Sequence, residues 1–188
     1  MNRSQDYIVP PKQWIEIANV ANDLRKRFGL SKDPYFDVMR FIEIVLDQQM
    51  GFVRFEVGNR EEMNGAEGFT CPSGEFIQLR EDVYKGACNG EARHRFTAAH
   101  DLGHFLMHTK IPLARAKLNH RIPPYRLAEP QANHFAAEIL MPRCFIASND
   151  DRHSISERHG VSLEAAGNRL KYLRRHEKPS GKEAQVAA

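Results

Sequence analysis

His100, Asp101 and His104, in the stretch HDLGH, combine residue types that carry metal chemistry at a spacing that permits it. Side chains four apart on a helix stand one above the other, so imidazoles at 100 and 104 can close on a single cation. An acid beside the first histidine can take a proton from water at that cation, as the H-E-x-x-H helix does in zinc sites. Here the acid is aspartate, one methylene shorter than glutamate. Phe96, Ala98, Ala99, Leu102, Phe105, Leu106 and Met107 leave the segment little polar surface, and buried imidazoles need partners for both ring nitrogens. A metal with an outer acceptor satisfies both at once, whereas two core histidines would each need two separate partners in an apolar setting. His108 continues the row but lies about 12 Å of helix rise from His100, too far for one tetrahedral site. It reads as a structural or loop-contacting residue.

A catalytic zinc site takes three protein ligands and leaves one position open. The extended pattern HExxHxxGxxH is excluded, because Met107 replaces its glycine and Lys110 its third histidine. The segment AEPQANHFAAEILMP offers two carboxylates instead, Glu129 and Glu138, about 180° apart on a helical wheel. Glu129 shares a face with Asn133, Ala136 and Leu140, and alanines at 132 and 136 allow a close approach to the histidine helix. Glu138 falls with Gln131 and His134 on a more polar side, where a solvated charge is the simpler reading. Glu129 is therefore the expected third ligand, with Asn133 one turn later positioning a ligand histidine. Pro130 falls in the first helical turn, where a missing N–H costs little. Tyr125 and His120, in the loop before this helix, are candidate oxyanion donors, against the plainer reading of a packing tyrosine and a loop histidine. Cys71 in FTCPSG either approaches the site from a sheet edge or is an inert buried thiol.

These residues need elements to hold them. Trp14, Ile17, Ala18, Ala21, Leu24 and Phe28 recur at helical spacing up to Gly29, and Phe36, Met39, Phe41, Ile42, Val45 and Leu46 predict a second helix that breaks near Gly51. FVRFEV (52–57) and parts of GEFIQLRED (74–82) alternate around the turn-rich NREEMNGAEG, which predicts a small antiparallel sheet of two or three strands at the cleft edge. Helices are expected from Arg95 to His108 and from about Glu129 to Met141, separated by a loop rich in proline. In ISERHGVSLEAAGNRLKYLRR a short helix ends at Gly160, Ser162 caps the next, and Leu163, Ala166, Leu170 and Leu173 form its apolar stripe, a rhythm like a helix-turn-helix. The expected organisation is a core over residues 1–148, a helical pair over 149–176 and a disordered tail over 177–188.

With 188 residues, 41% hydrophobic content and a net charge of +3, the chain fits one main domain and gives no global argument for a nucleic-acid partner. No apolar stretch approaches the roughly 20 residues that cross a bilayer, and the N-terminus has no apolar core after its arginine. A cytoplasmic protein without membrane contact is expected. Three separated cysteines without a CxxC pair fit a reducing compartment and speak against a disulfide framework.

RFTAAHDLGHFLMH (95–108) followed by EPQANHFAAEILMP (129–142) resembles the ImmA/IrrE-type metallopeptidases, whose pattern is close to RFTxAHELGHxxxH and then ExxANxFAAxLLMP. The resemblance implies an α+β, mainly helical, gluzincin-like core that binds Zn2+ through His100, His104 and Glu129, with position 101 as general base. It also implies a protein substrate, a helix-turn-helix repressor whose cleavage relieves repression. Asp101 is the departure from that pattern. Aspartate can do the same proton transfer, but its oxygens retreat by more than an ångström, which leaves two readings: a slow peptidase or a zinc-bound pseudo-enzyme. A reading of another class is a DNA-binding regulator that presents Arg169, Lys171, Arg174 and Arg175 to phosphate, set against a basic solvated helix that packs on the core. A toxin or adaptor using the metal core to hold a partner is a further alternative.

Overall fold

A computed structural model describes residues 6–115 and 122–176. His120 and the expected tail over 177–188 lie outside the described residues.

The fold is α+β. After a two-residue strand β1 (Tyr7–Ile8), helix α1 (Trp14–Arg27) buries Ile17 and Ala21, and helix α2 (Val38–Arg40) widens into a π-helix over Phe41–Gln49. Strands β2 (Arg54–Gly58), β3 (Gly68–Thr70) and β4 (Phe76–Arg80) form a sheet in the order β2-β4-β3. Helices α3 (Glu81–Cys88) and α4 (Ala92–His108) follow, then strand β5 (Ala114–Arg115), which pairs antiparallel with β1. Helix α5 (Ala128–Leu140) carries the second motif, and α6 (Arg152–His159) and α7 (Leu163–His176) complete the described chain.

The three-stranded sheet departs from the antiparallel expectation. β3 and β4 are antiparallel, joined by the short connection 71–75, but β2 and β4 run parallel, with Arg54 opposite Phe76 and Gly58 opposite Arg80. The physical reason is that alternation assigns side chains to faces and carries no information on strand direction. The chain leaves β2 through 59–67, forms β3 on the far side and returns as the central strand β4, whose Ile77 and Leu79 are fully buried.

One core runs through the molecule. Ile77 and Leu79 of the sheet, Ala98, Ala99 and Leu102 of α4, and Phe135, Ala136 and Ile139 of α5 belong to a single cluster with Ile155 of α6 and Ala166 of α7. Helices α4 and α5 lie close because small residues meet at their crossing. A Cβ at Gly103 would stand 2.9 Å from Phe135 Cδ1 and 3.3 Å from the Ala132 carbonyl. That proximity brings Glu129 to the histidine face of α4.

Three buried arginines tie the turns to this core by donating to backbone carbonyls. Arg25 donates to Ile139 and Asp33, Arg95 to Phe36, His159 and Gly160, and Arg169 to Met141. The Arg169 guanidinium also makes two 2.6 Å bonds to the Glu138 carboxylate. Two expectations are thereby corrected: Glu138 is 4% exposed and Arg169 2% exposed, where solvated charges were read. Each looks solvent-facing on its own helix, and the two meet across α5 and α7, beyond the reach of any local pattern.

Candidate metal centre

α4 presents His100, His104 and His108 in a row at intervals of one turn, and α5 places Glu129 in its first turn opposite the first two. Nε2 of His100 lies 2.9 Å from Nε2 of His104, and the Glu129 oxygens lie 3.2 Å from His100 Nε2 and 3.4 Å from His104 Nε2. Zinc–nitrogen bonds of about 2.0–2.1 Å at tetrahedral angles separate ligand atoms by about 3.3 Å, so the three donors stand near the spacing of a tetrahedron's corners. Among the described residues these three form the one group of histidine, cysteine or carboxylate side chains arranged to hold a cation. Two imidazoles and a carboxylate suit zinc by donor chemistry as well as by spacing.

Electrostatics act on the same three residues. Burial works against charge on His100, but the hydrogen bond to Glu129 and the nearby Asp101 outweigh it and raise its pKa. Hydrogen bonds to His100 and His104 hold the Glu129 carboxyl well below the ordinary carboxylate range. His100 therefore favours a positive charge next to Glu129, and a cation bound there would displace protons. Burial pulls His108 down to about 4, which keeps this ring neutral.

Outer contacts orient the rings. His100 Nδ1 lies 3.1 Å from Asn133 Oδ1, so Asn133 sits where the sequence places it, one turn beyond Glu129. His108 bridges His104 at 3.0 Å and Gln131 at 3.0 Å. Gln131, read from sequence as part of a polar face, is fully buried.

Asp101 lines the same cleft, 5% exposed, with its carboxyl pushed up to about 6 by burial. Thr70 Oγ1 donates to the Asp101 backbone carbonyl at 2.9 Å and lies 3.3 Å from Oδ1. A Cβ at Gly68 would fall on Asp101 Oδ2, so only glycine lets β3 approach this carboxylate. Sequence reasoning missed Gly68, Thr70 and Gln131. Contacts of Gly68 and Thr70 with Asp101 span some thirty residues, and no periodicity marks them.

The cleft holds about 450 Å³ and is walled by Gly68, Phe69 and Thr70 of β3. Tyr125 does not line it; its side chain is exposed and its carbonyl accepts from Lys12 and Gln131. Cys71 lines the wall, partly exposed, with Sγ 3.0 Å from Ser73 Oγ.

The sequence matches the peptidase M78 family model, described as the IrrE N-terminal-like domain, over residues 62–171, more than half of the chain. The chain belongs to this family. Membership of the IrrE N-terminal-like family makes it metallopeptidase-like in descent, and the matched span contains Gly68, Asp101, both motif histidines and Glu129. No curated protein and no solved structure matches the chain. No helix among the described residues is long and apolar enough to cross a membrane.

Proposed function

We propose that this protein is a zinc-dependent endopeptidase and that its substrate is a helix-turn-helix repressor. The observation that carries the chemistry is the meeting of His100, His104, Glu129 and Asp101 in one open cleft beside an edge strand. His100, His104 and Glu129 would hold the zinc, which when bound supplies Lewis-acid polarisation of an oxygen ligand. Asp101 acts as proton acceptor and then donor, and its raised pKa of about 6 suits a group that must take and return a proton near neutrality. β3 ends the sheet on the cleft side, so its outer backbone groups could pair with an extended peptide along the cleft that His100, His104 and Glu129 line. The repressor as substrate rests on the resemblance of the two motifs to the ImmA/IrrE-type metallopeptidases.

A zinc-bound pseudo-enzyme is the second reading. It is favoured by the burial of the short Asp101 side chain against β3, next to Thr70. The DNA-binding reading loses Arg169, which is committed to Glu138, and keeps the exposed Lys171, Arg174 and Arg175.

The deciding experiment incubates zinc-loaded protein with helix-turn-helix repressors from its host and maps fragments by mass spectrometry. Cleavage at one site, lost on adding a chelator and in Asp101→Ala, is expected. A repressor left intact at stoichiometric enzyme, with zinc retained, would overturn the peptidase in favour of the pseudo-enzyme.

A further inference from the structure

Along one line of side chains the ring hydrogens follow from the acceptors alone. The Gln131 amide nitrogen lies 3.0 Å from the Pro10 carbonyl and 2.7 Å from the Tyr125 carbonyl. Both partners only accept, so this atom is the NH2 group and the amide cannot be flipped. Gln131 Oε1 therefore faces His108 Nε2, at 3.0 Å. An amide oxygen only accepts, so His108 Nε2 carries the hydrogen, and in a neutral ring Nδ1 is then a bare acceptor. That Nδ1 lies 3.0 Å from His104 Nδ1, which must donate to it. With its Nδ1 hydrogen so fixed, His104 Nε2 is the nitrogen that faces His100 Nε2 and the Glu129 carboxylate, and a proton it shares with that carboxylate is the one a cation would displace.

We propose that Gln131 and His108 are positioning residues for the metal site: two hydrogen bonds in series hold His104 in the tautomer whose Nε2 can ligate a cation. The inference rests on reading His104 as a zinc ligand. A free histidine side chain favours the hydrogen on Nε2, the nitrogen that must be bare here, so the relay works against an intrinsic preference. His100 reaches the same state in one step, through Asn133. The direction of the relay is set at its far end by two carbonyls from the N-terminal segment and the turn before α5.

The test measures tautomers and metal affinity in the full chain. Long-range nitrogen–proton NMR of the metal-free protein at pH 8 should show the His104 hydrogen on Nδ1 in wild type. In Gln131→Met, which keeps the shape and removes the acceptor, it should move to Nε2. Zinc affinity by chelator competition should fall about 10- to 100-fold in Gln131→Met, measured at a temperature where urea unfolding shows the metal-free variant still folded, since loss of the buried amide also costs stability. His108→Phe, a buried ring without nitrogens, should weaken zinc comparably and decides the matter if Gln131→Met does not fold. A wild-type His104 hydrogen on Nε2, or unchanged affinity in the folded variants, overturns the relay. If wild type retains no zinc while His104 still carries its hydrogen on Nδ1, the fault lies with the metal assignment and not with the relay.

Discussion

On the proposed reading, the reach of Asp101 sets how fast this site works. Its carboxylate lies where a Cβ at Gly68 would be, with Thr70 beside it, so the short side chain is drawn toward β3. Extending it by one methylene moves the oxygens outward, and a displacement of about an ångström at a reacting centre is worth up to about a hundredfold in rate. Asp101→Glu is expected to raise kcat by about ten- to a hundredfold on a cleaved repressor, with zinc content unchanged. Equal turnover in the two proteins would show that the length of this side chain does not limit the reaction. The type and spacing of residues 100, 101 and 104 were readable because a helix converts sequence distance into a fixed direction. The surroundings of Asp101 were not, because Gly68 and Thr70 arrive from a different layer of the fold.

At the scale of the elements, α5 serves two neighbours. One face carries Glu129 and Asn133 toward α4, and the other sets His134 between Trp14 of α1 and Tyr172 of α7, with ring centroids 4.8 and 4.9 Å away. Burial lowers His134 to about 4 against the pull of Glu138, whose Oε1 lies 3.4 Å from Nε2 without a hydrogen bond. A histidine whose folded pKa is depressed binds protons better when unfolded, so its contribution is fully present above about 6.5 and is lost as pH falls toward 4. The loss reaches on the order of 2 kcal/mol by pH 5. Urea unfolding of His134→Phe between pH 7.5 and 5 should therefore show a shallower decline than wild type; parallel curves would remove His134 as a source of acid sensitivity. The helical wheel separated Glu129 from Glu138 correctly as two faces, yet it took the Glu138 face for solvent because α7 lies far along the chain. The sheet shows the same limit: strands β2 and β4 were legible from alternation, and their parallel pairing was not.

For the whole molecule, long-range arginine contacts hold the late helices to the early ones. Arg169→Met strands the buried Glu138 carboxylate without its partner and is expected to cost about 3–5 kcal/mol in chemical denaturation. The double variant Arg169→Met/Glu138→Leu should recover most of that loss, because both buried charges disappear together. A single variant within 1 kcal/mol of wild type would show that α7 is held by its apolar stripe alone. On the proposed reading the cation donors project from α4 and α5, helices that pack into the core, whereas a bound peptide would face β3 and the Cys71 and Pro72 that follow it. If that reading holds, selection could rewrite which sequences are recognised by altering a peripheral strand and the start of its hairpin, leaving the two helices that would carry the reaction untouched. Divergence of target choice among descendants of this scaffold should concentrate in that strip.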